Sequence, residues 1–301
     1  MMRIIKTVPF GLRKGLLRIK PTSSKISPNY KQEVKIMNIK KIDIHCHTTN
    51  RKLKGMCQPT ATPDDITKLM KEYNIDKTVL LATYFPHHHS GISNFRMYNW
   101  IKDRPEFLLF GSLDFELYFY QGLNELEELA EMGVLRGIKI YTVYQQIARK
   151  DLEMVANLAA KYKLPMIFHA GYGHDMNGPE SQLIRASDIA WVSEITPVII
   201  SHMANPALDD LIDTIKNHNN LYADMSGLMN SVRVPEEIDN AIVMVKRFLK
   251  ESGPERLLFG TDFPVQNHED SIKIIEQAMV GYSDEDKEKV YYGNAAKLLR
   301  L

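Results

Sequence analysis

From residue 40 onward the chain alternates between two rhythms of apolar and polar positions. Short apolar runs read as strands: "KIDIHC", "KTVLLA", "FLLFGSL", "VLRGIKI", "PMIFHA", "PVIISH", "LYADMS" and "RLLFGT". Between them lie stretches with helical spacing. "DLEMVANLAAKY" places Leu152, Val155, Ala156 and Ala159 on one stripe. Thr62-Pro63-Asp64-Asp65 is an N-cap with proline at the first helical position, ahead of "ITKLMKEY". "EEIDNAIVMVKRFLKE" and "EDSIKIIEQAMV" repeat the helical period. Eight strands alternating with helices argue for a parallel sheet, because parallel neighbours need a crossover. In one domain of this size the closed (β/α)8 TIM barrel, an α/β fold, is the natural solution. "DEDKEKV" and "NAAKLLRL" predict a C-terminal helical tail against the barrel's side.

The polar residues at the strand ends change the picture from fold to chemistry. Residues i and i+2 of a strand share a face. His45 and His47 therefore project side by side with Asp43 below them, while Ile42, Ile44 and Cys46 face the other way. Alone, two such histidines serve equally well as packing residues or as metal ligands. But Lys139 ends the fourth strand, His169 the fifth, His202 the sixth and Asp262 the eighth. Their separations are about thirty residues or whole multiples of it, the length of one βα unit. All six then sit on the C-terminal rim, where such barrels carry their chemistry. Parity agrees: with Lys139, His169 and Asp262 inward, Ile138, Ile140, Met166, Phe168, Phe259 and Thr261 face the helices. Three or more imidazoles beside a carboxylate suit a divalent metal, Zn²⁺ above all and Mn²⁺, Fe²⁺ or Co²⁺ less specifically. His45 and His47 thus read as two ligands of one metal.

Composition narrows the remaining classes. The 301 residues are 44% hydrophobic and 25% charged, and 38 basic against 37 acidic residues leave a formal charge of +1. That balance gives no sign of a nucleic-acid partner. No apolar run approaches the ~20 residues needed to span a bilayer. Cys46 and Cys57 form no CxxC pattern and suit a reducing cytoplasm. Residues 1–39 are set apart as a basic, flexible arm ahead of a barrel at 40–301: Met1 to Tyr30 carries seven Lys or Arg and no acid. An organellar transit peptide is the alternative for this arm. The expected partner is a small-molecule substrate, and a homo-oligomer is compatible with the fold.

"DIHCH", "RGIKIY", "LPMIFHAG", "VIISHMANP", "NLYADMSG" and "LLFGTDFP", in this order between residues 43 and 264, resemble the metal-dependent amidohydrolase superfamily. The closer likeness is to its amidohydrolase-related branch, which holds hydrolases, lactonases and decarboxylases similar to aminocarboxymuconate-semialdehyde decarboxylase. The resemblance implies that His45, His47, His169 and Asp262 bind the metal, with His202 beside the metal-bound water as acid/base or as a ligand. It also offers a binuclear version, in which a carboxylated Lys139 bridges two ions and His202 binds the second. Because "GIK" recurs in the single-metal branch, one ion is favoured over two. The chain departs from the branch where Tyr141-Thr142 follow "GIK" in place of the usual His-Pro, so the substrate contact made by that histidine lacks its usual residue.

The expected reaction is hydrolysis of a C–N or C–O bond, amide or lactone, in a small carbonyl compound, with Asp262 and His202 handling the proton. A carbon–carbon lyase releasing CO₂ is the alternative on the same site, and a TatD-like nuclease a second; a barrel with a dead site would need a missing ligand. Other residues keep two readings. Asp43 either orients a histidine or satisfies backbone donors, and Asp224 with Ser226 is either a polar core pair or a substrate contact. His87, His88, His89, His174 and His268 fall in rim loops, and His218 falls at the opposite end. Arg51, Arg96, Arg185 and Arg233 are each able to grip a carboxylate, and the sequence singles out none of them.

Overall fold

The computed structural model describes residues 39–85, 90–171, 183–229 and 235–301. Residues 1–38 of the predicted arm lie outside that set, as do His87, His88, His89, His174 and Arg233. All the described residues belong to one compact unit.

Every predicted strand run contains a strand, and one hairpin is added. β1 (Lys41–Cys46) and β2 (Ile75–Leu81) precede an antiparallel pair, β3 (Thr83–Phe85) and β4 (Ser90–Ile92). β5 (Phe107–Gly111), β6 (Leu135–Ile140), β7 (Met166–Phe168), β8 (Val198–Ile200), β9 (Leu221–Asp224) and β10 (Leu257–Leu258) follow. Outside the hairpin they form one eight-stranded parallel sheet in the order β1-β2-β5-β6-β7-β8-β9-β10. The sheet closes on itself. Ile44 N donates to Phe259 O at 3.0 Å, His47 N to Phe263 O at 2.8 Å and Asp262 N to His45 O at 2.7 Å. The fold is a (β/α)8 barrel.

The crossovers carry α1 (Pro63–Tyr73), α2 (Asn94–Ile101), α3 (Phe119–Glu131), α4 (Arg149–Lys161), α5 (Ala186–Ile189), α6 (Leu208–Ile215) and α7 (Pro235–Ser252). After β10 come α8 (His268–Ala278), α9 (Asp284–Glu288) and α10 (Asn294–Leu299). Among the described residues, no helix is long and apolar enough to cross a membrane. α1 starts where the sequence predicts: Asp65 N donates to Thr62 Oγ1 at 3.2 Å and Thr62 N to Asp65 Oδ2 at 3.1 Å, a capping box satisfying two otherwise orphaned donors. On α4 the predicted stripe of Leu152, Val155, Ala156 and Ala159 is buried.

Strand alternation sorts the apolar residues into two cores. Ile138, Ile140, Met166, Phe168, Val198 and Ile200 pack with the helices. Ile42, Ile44, Val79, Phe110, Ile167, Ile199 and Leu258 meet across the lumen. Ala295, Leu298 and Leu299 of α10 join this inner cluster, and Asn294 Nδ2 donates to the carbonyls of Pro254 and Leu257 at 2.7 and 2.8 Å, at the start of β10. The C-terminal tail therefore closes the barrel at the N-terminal ends of its strands rather than lying along its side.

β1 departs from strict alternation. Asp43 pairs with Thr78 and Cys46 with Leu80, so three steps along β1 oppose two along β2. Such a bulge reverses facing along the strand. Ile42 and Ile44 point into the lumen, whereas Asp43 bonds to Thr261 and stands 3.5 Å from His268 Nε2 on the helix side. The predicted common face of Asp43, His45 and His47 is thus corrected: the bulge turns His45 to the interior after Ile44 has already occupied it.

Candidate metal centre

The C-terminal rim gathers His45, His47, Lys139, His169, His202 and Asp262 around or beneath one mouth. His45 and Asp262 are buried, their side chains 1% and 7% exposed, while His47 is half-buried. His47 Nε2 lies 3.2 Å and His45 Nε2 3.5 Å from Asp262 Oδ1. Beside them the His45 and His202 rings are 4.9 Å apart and the His202 and His169 rings 4.7 Å, with His169 Nδ1 at 3.3 Å from His202 Nε2. Among the described residues, ligand atoms of His45, His47 and Asp262 fall within 4.8 Å of one another. His169 stands next to His202 instead.

Unusual backbone aims two of these side chains. Asp262 has φ +59°, and His202, Met203 and Ala204 are consecutive left-handed residues at +57°, +48° and +53°. A non-glycine residue there costs about 1–2 kcal/mol and persists where its surroundings over-determine it. For Asp262 the support is visible. Asp43 accepts from Thr261 N at 3.0 Å and Thr261 Oγ1 at 2.6 Å, and Thr261 Oγ1 accepts from Phe263 N at 3.0 Å. Asp43 also accepts from His45 N at 3.2 Å, so it satisfies backbone donors and touches no rim imidazole.

Asp224 and Ser226 form the hub behind the histidines. Asp224 accepts from His45 Nδ1 at 3.1 Å, from His202 N at 3.2 Å and from Ser226 N at 3.0 Å; the Ser226 hydroxyl also donates to it. His202 Nδ1 donates to the Ser226 carbonyl at 3.0 Å. Each bond fixes a tautomer. His45 and His202 carry their protons on Nδ1, leaving each Nε2 unprotonated, that of His45 turned to Asp262 and that of His202 to His169 Nδ1. Ligand atoms of His45, Asp224 and His202 also lie within 4.8 Å of one another, but donors already surround Asp224.

Electrostatics agree. Burial, with Lys139's charge added, pushes the His45 imidazole down to about 3 against weaker upward pulls from Asp224 and Asp262. Burial likewise lowers His202. Burial opposes ionisation of Asp262, yet the hydrogen bond from His47 and the neighbouring imidazoles outweigh it and hold its carboxyl well below the ordinary range. Asp262 Oδ1 and His45 Nε2 are then two acceptors face to face with no proton of their own between them. His47 Nδ1, buried, has no hydrogen-bond partner among the described residues. Bare imidazole nitrogens converging on an ionised carboxylate fit a borderline-soft divalent cation.

Lys139 lies deeper, 1% exposed. Its Nζ donates to Ser201 Oγ at 3.0 Å and sits 5.2 Å from the centre of the Tyr141 ring. Burial brings its pKa down to about 8 against Asp224 and Asp262.

Above the rim opens a cavity of about 530 Å³. Tyr141 and Tyr144 line it, and the Tyr144 ring stands edge-on to His169 at 5.5 Å. Arg51 and Arg96 are on its wall; Arg185 precedes α5, with its backbone N–H bonded to Asp188. His268 is not at the mouth. It is buried, stacked on Tyr73 at 5.7 Å and packed on Phe263, which corrects its expected place in a substrate loop. His218 pairs with Ser193 at the opposite end.

One residue at the centre was given no role by the sequence. Gly227, φ +58°, runs so close behind the centre that a Cβ there would lie 2.6 Å from Asp262 Oδ2 and 2.8 Å from His202 Nδ1. Its only sequence signal is the Ser-Gly pair that ends the β9 run.

The family described as Amidohydrolase matches residues 42–301. No curated protein matches the chain. Among solved structures, a probable 2-pyrone-4,6-dicarboxylic acid hydrolase from Acinetobacter baumannii is 17% identical, covering 88% of this chain and 100% of its own, with a TM-score of 0.63. An amidohydrolase from Burkholderia multivorans with bound zinc is 15% identical over 87% of this chain and 99% of its own, TM-score 0.62. A dihydroxybenzoic acid decarboxylase from a Polaromonas species, with bound manganese and 2-nitroresorcinol, is 16% identical over 87% and 97%, TM-score 0.61. At these identities the likeness is one of fold.

Proposed function

This chain belongs to the amidohydrolase family, and on that premise we propose that it is a divalent-metal-dependent hydrolase, cleaving a C–N or C–O bond of amide or lactone type in a small carbonyl compound. One observation carries this reading: the bare Nε2 of His45 and the ionised Oδ1 of Asp262 face each other at 3.5 Å, with His47 Nε2 at 3.2 Å from the same oxygen.

His45, His47, His169 and Asp262 would hold the ion, zinc in preference to manganese, iron or cobalt. A single ion is favoured because Lys139 aims its amine at Ser201 rather than at the imidazoles. Such an ion supplies Lewis acidity and lowers the pKa of water to about 7. Asp262, ionised by its surroundings, accepts a proton at the mouth and delivers it to the leaving group. His202 keeps its Nδ1 proton on the Ser226 carbonyl, so its Nε2 orients a hydroxyl or relays a proton; such transfers contribute about 10²–10⁴-fold. Asp224 and Ser226 hold both rings through the cycle.

Elemental analysis of purified protein should find one zinc per chain. From a panel of lactones, amides and aromatic carboxylic acids in oxygen-18 water, lactones or amides should be the compounds turned over, with one labelled oxygen in the carboxylate that forms. Release of CO₂ with no label in the organic product would replace hydrolysis by decarboxylation. Full activity in Asp262→Asn would remove the proton-transfer assignment.

A further inference from the structure

We propose that the substrate is a carboxylate-bearing anion, and that Arg51 and Arg96 clamp this carboxylate at the cavity wall, away from the reacting carbonyl. The inference rests on reading this cavity as the substrate site.

The two arginines come from unrelated segments. Arg51 lies in the loop after β1, and Arg96 in the first turn of α2, yet both line the same cavity. Neither has a carboxylate partner among the described residues. Arg104, by contrast, pairs with Asp64, and Arg247 with Asp209 and Glu251. The one carboxylate on the described cavity wall is Asp262, already engaged with His45 and His47. Among the described residues, two cations therefore stand at the wall without a neutralising carboxylate, in a chain whose overall formal charge is only +1. The positive mouth is local.

The position of Arg96 strengthens the point. The amino end of a helix carries a partial positive charge and ordinarily attracts acids. α2 has no acid in its first turn and no side-chain cap, and it places Arg96 there instead. Arg96 lies 5.5 Å from the Trp100 ring one turn on, which braces the guanidinium. A cation set against its own helix end gains from an anion bound between it and a second arginine. A planar guanidinium matches a carboxylate through two parallel hydrogen bonds. Leu53, Met56 and Ile92 also line the cavity and suit an apolar substrate body.

The test compares isophthalate with its diamide, which has no carboxylate, by isothermal titration calorimetry, on zinc-loaded and on chelator-treated protein. Isophthalate should bind about tenfold more tightly, which corresponds to about 1.4 kcal/mol. Arg51→Gln and Arg96→Gln should each erase most of that ratio, Arg96→Lys should restore part of it, and Arg300→Gln on the far tail should leave it unchanged. Equal binding of the two compounds, no measurable isophthalate binding, or a ratio indifferent to the arginine variants would overturn the clamp. Inorganic phosphate competing as well as isophthalate would overturn the choice of a carboxylate. The ratio should persist in chelated protein. Binding that disappears with the zinc and ignores the arginines removes the clamp and leaves the metal centre standing. An arginine-dependent ratio in protein that takes up no zinc upholds the clamp and removes the hydrolase reading instead.

Discussion

Gly227→Ala tests whether the backbone behind the centre sets its alignment. The added Cβ would stand 2.6 Å from Asp262 Oδ2 and 2.8 Å from His202 Nδ1, whereas ordinary contacts begin at 3.4 Å. Either the carboxylate retreats by ~0.8 Å, or the β9 end moves outward by a similar amount. The residue also keeps φ near +58°, which costs alanine about 1–2 kcal/mol. In a barrel of this size that is a fall in Tm of about 2–4 °C per kcal/mol. The local consequence should be larger than the global one. A displacement approaching 1 Å at a reacting group costs about 10²-fold in rate, and disturbing the groups that orient metal ligands typically costs about 10–100-fold in affinity. The assay is zinc affinity, by competition with a chelating dye, beside thermal unfolding of the zinc-free protein. A variant that loses a few degrees in Tm but binds zinc like the parent would refute the reasoning, because the close approach would then matter to folding alone.

Three further outcomes follow from other parts of the molecule. Asp224→Asn turns an amide toward His45 Nδ1 and removes the acceptor that fixes its proton, so zinc affinity should fall about 10–100-fold with unchanged far-UV circular dichroism; unchanged affinity would show that the tautomer is set elsewhere. Leu299→Ala, in the tail helix that closes the inner core, should cost about 2–5 kcal/mol in urea unfolding while zinc stoichiometry stays the same. Thr62→Ala should cost about 1 kcal/mol and flatten the acid limb of stability. The hydrogen bond from the Thr62 side chain holds the Asp65 carboxyl below its ordinary value. A depressed folded-state value stabilises above the unfolded carboxylate pKa of ~3.9, and that contribution is lost as pH falls through the folded value. An acid limb identical in parent and variant would exclude the cap as its source.

The barrel was legible because its determinants are periodic. Eight apolar runs at βα spacing leave few arrangements in a single domain, and Lys139, His169 and Asp262 each lie on the face their neighbours imply. What the sequence hid depends on departures from periodicity. Nothing in "KIDIHC" marks the bulge that sends Asp43 to the helix side and His45 inward, because the residues allowed at a bulge are those allowed in a strand. His202 and Asp262 adopt left-handed backbone without being glycine, so residue type gives no warning. Asp224 and Ser226 kept two readings for a related reason: spacing along β9 fixes which way they point, but not what arrives there from β1 and β8. These departures coincide with the candidate centre. Regular strands place side chains at intervals set by the pleat, and those intervals do not by themselves bring His45, His47 and Asp262 onto one point. A bulge on one strand, a left-handed turn after two others and a glycine behind them move the atoms the remaining distance, with costs of about 1–2 kcal/mol for each left-handed residue supported by the bonds from Asp43 and Asp224.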